Sequence, residues 1–417
     1  MKANILFCMN KILKFSINKS AERKLKILFY SHNFNYEGAP NVLYEIAIAL
    51  QKKGKYNISV VSPSDGHARN SLEQQGIKTI VLNEDDPMHF KMEYGDNEGF
   101  ILLKPKIIEM LTDEVPDVVF VNVLHNYHVI NILNKLEIPS VWMIHESFDE
   151  ERQVQLIMNN SQNYYNAFQQ AKTVVFCTRY SQQYYEPYNF KNNFRIIHNA
   201  LNQRYSNLKL NEALKNKARN KLGIQPDELV ILNVGIIVEH KNQEIIIRAA
   251  RSLTGKKLKY FLVGARNPLP YLEKIARLVY EFELEKEITM VSETNEIDSF
   301  YRAADIFVFT SINDTYPLVI LEAMAYGLPI ITTPINGVNE QVKFGYNAIK
   351  ADYTCPDKLA EQINYLAENK KIRMDMGKNS RKVFKKHESF KDVLNAHELI
   401  ILDAFDKTLH DVEISVL

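Results

Sequence analysis

The sequence predicts an α/β protein built on parallel sheets. From Lys26 onward, short β-branched runs alternate with segments whose apolar residues recur at helical spacing, a pattern typical of parallel sheets covered by helices on both faces. The chain has 417 residues, of which 46% are hydrophobic and 24% charged. It is long enough to bury the cores of two or three domains, and its composition is neither disordered nor fibrous.

Two series of strands are expected, and they imply two similar sheets in tandem. The first series is KILFYS (26–31), NISVVS (57–62), KTIVL (78–82), DVVFVN (117–122), SVWMIH (140–145), TVVFC (173–177) and FRIIH (194–198). The second series follows a polar, lysine-rich stretch at about 203–228 and consists of ELVILNVGII (228–237), KYFLVG (259–264), EITMVS (287–292), DIFVFT (305–310) and LPIITT (328–333). A hinge is expected near His198–Asn202, where a strand precedes the polar stretch.

Helical patterns separate most of these strands. Val42 to Lys53 is one example, and Gly54 follows it in the position of a helix C-cap. The tail from Asp357 to Leu417 is predicted to be helical only. Residues 83–99, rich in Asp, Glu, Asn and Gly, are predicted to form a loop.

Composition limits the partners and the location of the protein. Lys and Arg number 51 and Asp and Glu 50, a net charge of +1, so no whole-chain field attracts nucleic acid and no nucleic-acid partner is predicted. Three widely spaced cysteines make a disulfide framework or a paired zinc knuckle improbable and favour a reducing cytosol. The longest apolar run, Leu229–Val238, has ten residues, against roughly 20 for a membrane span. The apolar stretch Ile5–Met9 is too short for a signal peptide.

Ligands of doubly wound sheets bind beyond the carboxyl ends of the strands, so residues that follow strands are the site candidates. Gly38-Ala39-Pro40 comes between the first strand and a helix, where exposed amides and the helix dipole favour an anion. A tight turn with Pro near the first helical position explains the same residues without a ligand. The loop matches neither the dinucleotide nor the Walker fingerprint.

His145 and Lys241 also follow strands. His145 ends SVWMIH, where a polar side chain faces the crevice; a lone histidine after an apolar strand is, however, more often a structural hydrogen-bonded residue. No second His stands nearby at zinc-helix spacing, so no metal site is predicted. Lys241 begins the helix that carries Ile245 to Ala250 and could meet a phosphate as a charge beside amide donors; the alternative is a solvated lysine.

The segment 311–340 is the most informative. Pro317 is suited to starting a short apolar helix that Tyr326-Gly327 ends. Glu322 lies one turn from Leu318, about 6 Å along the axis. If the amides of Leu318 and Val319 held a phosphate, Glu322 would be spaced to accept a hydrogen bond from a ribose hydroxyl. A carboxylate in an apolar helix is costly to bury without donors, which favours a ligand role.

At this segment the sequence resembles a known family. D-x7-E followed by AMAYGLPIITT is similar to the E-x7-E and EAMA-x-G-x-P region of the retaining nucleotide-sugar glycosyltransferases of family 4, which have the GT-B fold. The similarity begins at about Lys26 and includes the G-A-P loop, the histidine after the central strand, I-H-N-A, V-G-x5-K-N-Q and YRAADIFVFTS.

The resemblance implies two Rossmann-like domains facing across a cleft. The implied boundaries are an N-terminal extension at 1–25, an acceptor-side domain at 26–198, a nucleotide-sugar-binding domain at 199–389, and a C-terminal helix in 390–417 that returns to the first domain. In the extension, apolar residues at helical spacing alternate with lysines. This basic amphipathic pattern suits peripheral contact with an anionic membrane, or simply a packed or frayed terminal helix.

By position, the resemblance implies a set of site residues. Catalytic roles fall on His145, which contacts the transferred sugar, on Asp314, whose other interpretation is a helix cap, and on Lys241, which binds phosphate. Donor-binding roles fall on Gly38, Ala39, Lys241, Arg266, Thr315, Leu318, Val319 and Glu322. No metal or other cofactor is expected, and the chain has no D-x-D pair.

Three residues depart from the family pattern. Ile236 stands where the family usually has Arg, which removes a cation from the leaving-group site at a cost of a few kcal/mol in transition-state stabilisation; Arg266 is a candidate to compensate. Asp314 is one methylene shorter than the usual Glu. Pro317 replaces a Gly and deletes an N–H donor.

The function implied is retaining transfer of a sugar from a nucleoside-diphosphate sugar to a hydroxyl of a glycan or glycolipid in cell-surface polysaccharide synthesis. Same-face attack on the sugar is implied, with a donor phosphate oxygen taking the proton. The expected location is cytoplasmic, with peripheral membrane contact left open. Ile236 and Pro317 keep open a non-catalytic GT-B-like subunit. A nicotinamide oxidoreductase has little support, because neither sheet opens with the glycine fingerprint.

Overall fold

The computed structural model describes residues 23–83, 97–147, 162–266 and 270–406. The predicted amphipathic helix of the N-terminal extension lies outside these residues, as does most of the predicted loop 83–99. Within the described residues, no helix is both long enough and apolar enough to cross a bilayer.

The first domain is a parallel sheet of seven strands in the order β3-β2-β1-β4-β5-β6-β7. The strands are β1 (Leu25–Tyr30), β2 (Tyr56–Ser62), β3 (Lys78–Val81), β4 (Val118–Asn122), β5 (Ser140–Ile144), β6 (Thr173–Phe176) and β7 (Phe194–Ile196). The helices are α1 (Gly38–Lys52), α2 (Ala68–Gln74), α3 (Asn97–Glu114), α4 (Tyr127–Lys135) and α5 (Arg179–Tyr185), with residues 162–170 also helical. Every residue of β4 and β5 is buried, because central strands of a parallel sheet are covered on both faces.

The second domain is a parallel sheet of six strands in the order β10-β9-β8-β11-β12-β13. The strands are β8 (Leu229–Val234), β9 (Leu258–Ala265), β10 (Ile288–Ser292), β11 (Ile306–Phe309), β12 (Ile330–Thr332) and β13 (Ala348–Lys350). The helices are α6 (Gln203–Ser206), α7 (Glu212–Lys221), α8 (Gln243–Arg251), α9 (Pro270–Glu281), α10 (Ile297–Ala303), α11 (Leu318–Ala325), α12 (Val338–Gln341), α13 (Pro356–Glu368) and α14 (Lys370–Phe384).

All twelve predicted strands form, and the prediction of two tandem parallel sheets is confirmed. The sequence missed β13, which has only three residues and so little apolar pattern. Residues 97–99, predicted as loop, begin α3 instead. The first helix starts at Gly38 rather than Val42, because Pro40 fits the first turn of a helix, where its missing N–H costs nothing.

The last helix, α15 (Phe390–Phe405), packs on the first domain rather than the second. Its residues Val393, Leu394, Ile401 and Ala404 are buried in the core on one face of the first sheet. Glu398 accepts hydrogen bonds from Lys53 and from the Tyr56 hydroxyl. The chain therefore crosses between the domains twice, once near residue 200 and once after α14.

Candidate active site

Two glycine turns lie at the carboxyl ends of neighbouring strands of the second domain. Gly235 follows β8 with a φ of 148°, and Gly264 lies near the end of β9 with a φ of 124°. A Cβ at Gly264 would lie 2.4 Å from the carbonyl oxygen of Gly235, so these two neighbouring turns pack at a distance that only glycine allows.

Hydrogen bonds fix the turn that carries Lys241. The residues Glu239–Lys241 form a 3₁₀ turn before α8. The carbonyl of His240 accepts from the Ile312 amide at 2.8 Å and from the Ser311 hydroxyl at 2.9 Å. The loop after β8 is thereby held against the loop after β11, which carries Asp314.

Lys241 and Asp314 form an ion pair at the head of α11. Nζ of Lys241 lies 2.7 Å from each carboxylate oxygen of Asp314, and each side chain is 17% exposed. The ammonium also lies 5.7 Å from the centre of the Phe309 ring, within the range of a cation–π contact. The pair is therefore partly exposed rather than sealed in the core.

The N-terminus of α11 follows Asp314 by four residues. Pro317 precedes the helix with a φ of −65° and a ψ of 120°, and its carbonyl is held by the side-chain amide of Gln341 at 3.0 Å. The N–H groups of Leu318 and Val319, in the first turn of the helix, have no intrahelical acceptor. They and the helix dipole favour an anion at this point.

The carboxylate of Glu322 is held by two tyrosines. The hydroxyls of Tyr205 and Tyr301 each donate to it, one to each oxygen, at 2.7 Å. Burial raises the pKa of Glu322, and the two hydrogen bonds oppose that rise. These donors already compensate the partly buried charge, so the burial of Glu322 does not by itself favour a ligand role. Its ribose-binding role stays a prediction, with lone pairs left to accept from a ligand.

On the first domain's side, a buried asparagine connects two predicted site residues. The side-chain nitrogen of Asn122 donates to the carbonyl of Ala39 at 3.1 Å, and its oxygen lies 2.9 Å from Nε2 of His145. Burial lowers the pKa of His145 to about 3, so the ring is neutral at physiological pH. Gly38 begins α1, and a Cβ placed there would have no neighbour within 4 Å. The space before this helix is open.

Arg266 bridges the two domains instead of standing free. It bonds Glu293 of its own domain at 3.0 and 2.6 Å, and Glu37 of the first domain at 3.3 Å. A hydrogen bond from His32 is the main cause that holds the pKa of Glu37 down at about 2. Compensation for Ile236 by Arg266 stays a prediction, and it requires the guanidinium to exchange Glu37 for a phosphate.

Thr315 also lies at the junction of the domains. It is buried, and its hydroxyl lies 2.9 Å from that of Ser147 in the first domain. A Cβ at Gly337 would lie 2.3 Å from the Thr315 carbonyl and 2.2 Å from the Thr178 side chain. The hydrogen bond to Ser147 therefore makes Thr315 a contact between the domains, and the approach of Gly337 to Thr178 adds a second contact beside it.

The structure therefore places several predicted residues where the two domains meet. Lys241 pairs with Asp314, four residues before α11, while His145 and Ala39 are joined through Asn122. Asn122, Tyr205 and Tyr301, which hydrogen-bond to predicted residues, were not predicted themselves. Asn122 ends a strand, as His145 does in the predicted strand 140–145, so its position could have identified it as a site candidate. Nothing in the sequence indicated that Tyr205 and Tyr301 contact Glu322. Within the described residues, no group of three or more His, Cys, Asp or Glu side chains could hold a metal ion.

Comparison with known protein families decides the identity of this architecture. The profile described as Glycosyltransferase Family 4 matches residues 36–204, and that of Glycosyl transferases group 1 matches residues 215–383. Each match lies on one of the two sheet domains. The chain belongs to glycosyltransferase family 4. The predicted family is thus confirmed, together with the GT-B fold.

Known relatives of this family 4 member have names of the same class. An uncharacterized glycosyltransferase of Methanocaldococcus jannaschii is 27% identical over 197 residues, 46% of this chain and 50% of the relative. A D-inositol 3-phosphate glycosyltransferase of Pseudarthrobacter chlorophenolicus is 26% identical over 172 residues, 40% of this chain and 41% of the relative. The chain thus matches about half the length of these relatives or less.

Solved structures share the fold of the whole chain. HepE of Anabaena, in complex with UDP and glucose, is 20% identical with a TM-score of 0.76 and covers 90% of this chain and 98% of its own. Sucrose-phosphate synthase of Thermosynechococcus elongatus is 18% identical with a TM-score of 0.76 and covers 92% of this chain and 99% of its own. At these identities the likeness shows the GT-B fold.

Proposed function

We propose that this protein transfers a sugar from a nucleoside-diphosphate sugar to a hydroxyl group of a glycan or glycolipid acceptor, with retention of the anomeric configuration. The ion pair of Lys241 with Asp314, four residues before α11 begins, is the observation that carries the proposal. The names of the relatives support transferase activity, and the UDP and UDP-glucose bound by HepE support a nucleotide-sugar donor.

The leaving group is a nucleoside diphosphate, whose negative charge grows as the bond to the sugar breaks. The amides of Leu318 and Val319 and the ammonium of Lys241 stabilise that charge. They are fixed in place before the reaction, and one such donor is worth about 10²–10³-fold in rate. An ammonium has three N–H donors, so Lys241 can share its hydrogen bonds between Asp314 and a phosphate.

The rest of the donor lies along the cleft. Glu322, one turn into α11, accepts from ribose hydroxyls, and its orientation is fixed by Tyr205 and Tyr301. On the opposite side, His145 contacts the transferred sugar. The acceptor hydroxyl attacks from the face that the diphosphate leaves, and a phosphate oxygen takes its proton. No metal is needed for this charge stabilisation.

The acceptor lies on the first domain's side of the cleft. Family resemblance supports a glycan or lipid-linked acceptor and a role in cell-surface polysaccharide synthesis at the cytoplasmic face of the membrane. The basic apolar pattern of the N-terminal extension supports peripheral membrane contact.

A panel of nucleoside-diphosphate sugars tests the proposal, with donor hydrolysis and transfer measured for the protein and for Lys241→Ala and Glu322→Ala. We expect one donor class to be turned over, and both variants to lose that activity. The matched control is Lys256→Ala, which removes an exposed ion pair with Glu368 just before the amino end of β9, whereas the site residues follow the carboxyl ends of strands.

A non-catalytic binding subunit is the second candidate, because Ile236 and Pro317 remove a cation and an amide donor that family members usually have. It predicts no turnover and no nucleotide affinity. Binding of a glycan or protein partner would then be unaffected by Lys241→Ala and Glu322→Ala. The same panel therefore separates the two functions.

A further inference from the structure

We propose that Asn122 is a positioning residue that holds His145 with its proton on Nε2, so that Nδ1 acts as a hydrogen-bond acceptor for a hydroxyl of the donor sugar. The sugar contact rests on the proposed function. The tautomer itself does not, because it follows from the hydrogen bonds of the protein.

The orientation of the Asn122 amide follows from its two neighbours. One end of the amide lies 3.1 Å from the carbonyl oxygen of Ala39. A carbonyl only accepts, so that end must be the NH₂ group. The other end, which lies 2.9 Å from His145 Nε2, is therefore the oxygen. An oxygen of this kind also only accepts, so Nε2 must carry the proton.

The environment keeps the imidazole neutral, which leaves Nδ1 without a proton. Burial is the main cause that lowers the pKa of His145, and His32 and His397 lower it further. The carboxylate of Glu146 accepts from the backbone N–H of His145, so its hydrogen bond goes to the main chain rather than the ring. Within the described residues, the bond to Asn122 is the side-chain hydrogen bond that the structure gives His145.

Asn122 can hold this geometry because it does not move independently. It is fully buried at the end of the central strand β4, and its own carbonyl accepts from the side chain of Asn126 at 2.8 Å. Its bond to Ala39 connects His145 to the first turn of α1. Two of the three first-domain residues predicted to meet the donor, Ala39 and His145, are thus held by one side chain.

The first test measures the tautomer directly by ¹⁵N NMR of the histidine ring nitrogens, with His145→Gln to assign the signals. We expect the Nε2–H form to persist from about pH 6 to 9, the range in which an ordinary histidine titrates or is already neutral. An Nδ1–H form, or an imidazolium near neutral pH, would overturn the proposal. This measurement needs neither turnover nor an Asn122 variant.

The second test compares Asn122→Asp with Asn122→Leu. Both lose the NH₂ donor to Ala39, but only the aspartate keeps an oxygen toward His145, and its negative charge raises the pKa of that ring. We expect the His145 signals of Asn122→Asp to titrate, and its donor-hydrolysis rate to fall on the acid side as Nδ1 becomes protonated. Asn122→Leu should lose about tenfold in kcat/KM, the loss of one good hydrogen bond, at every pH.

Three outcomes are decisive. Identical, flat pH profiles for wild type and both variants would contradict the sugar contact. A ring that stays neutral in Asn122→Asp would contradict control by Asn122. If wild type turned over no nucleotide sugar, the proposed function would fail, while the ring-nitrogen measurements would still decide whether Asn122 sets the tautomer.

Discussion

The two sides of the cleft differ in electrostatic character. The second domain presents an ion pair, Lys241 with Asp314, and a carboxylate at Glu322. The first domain presents the neutral imidazole of His145, because burial lowers its pKa to about 3, while its carboxylate at Glu37 is paired with Arg266 of the second domain. The difference suits a donor with a charged nucleotide at one end and an uncharged sugar at the other. Binding to the second domain should depend on salt, whereas selection by the first should not.

The largest expected effect comes from breaking the ionic side at Lys241. Lys241→Ala should lower the rate of donor cleavage by about 10²–10³-fold, because it removes a preorganised cation from the leaving group. Part of the loss reflects the unpaired Asp314, which then repels the diphosphate. The double variant Lys241→Ala/Asp314→Ala isolates that part. Recovery of full activity in the double variant would contradict a role for Lys241 itself.

The next effect sharpens the role of Glu322. Tyr301→Phe removes a hydroxyl that orients the carboxylate, and we expect nucleotide affinity to fall by about tenfold, the scale of a hydrogen bond to a charged group. Calorimetric titration with a nucleoside diphosphate and with inorganic pyrophosphate checks this. Only the nucleoside diphosphate should be affected, because pyrophosphate has no ribose. Equal losses for both ligands would mean that the substitution disturbs α11 as a whole.

The neutral side is tested by filling the open space at Gly38. A Cβ here has no protein atom within 4 Å, and the backbone is helical, so Gly38→Val should cost less than about 1 kcal/mol of stability. It should nonetheless weaken donor binding, because the valine occupies the approach to the first turn of α1. Thermal unfolding and donor titration are measured together. Unchanged donor affinity would show that the diphosphate does not approach this loop.

The smallest effect lies at the hinge, outside the cleft. Hydrogen bonds to Glu340 and Glu388 raise the pKa of His198 to about 9. This pKa is higher than that of histidine in the unfolded chain. The bonds of protonated His198 to the two glutamates therefore stabilise the folded state fully below about pH 6.5, and this stabilisation is lost as the pH rises through about 9. We expect a loss of about 1 kcal/mol at most, since the pair is partly exposed. The thermal stability of wild type should fall at alkaline pH, and that of His198→Gln should not. If the variant showed the same fall, another titrating group would be its cause.

The sequence predicted the sheets well because their signal is local. Buried parallel strands are continuous apolar runs, and each of the twelve predicted ones formed, whereas the three-residue β13 carried too little pattern to detect. The residues after strands were good candidates for the same reason. The family resemblance then supplied roles for His145, Lys241 and Glu322, which position alone left open.

Partnerships across the chain could not be predicted from the sequence. Tyr205 lies 117 positions from Glu322, and Glu37 lies 229 positions from Arg266. Such contacts depend on how two domains and their loops pack. The spacing of apolar residues along the chain carries no information about that packing. The cost of burying Glu322 was overestimated from the sequence, because its two hydrogen-bond donors, Tyr205 and Tyr301, come from other helices.

A structure of the protein with a bound nucleoside diphosphate tests the central claim most directly. The account predicts phosphate oxygens within hydrogen-bond distance of the Leu318 and Val319 amides and of Lys241 Nζ, with the ribose on Glu322. A nucleotide bound with its phosphates away from the head of α11, or with Lys241 still engaged only by Asp314, would contradict it.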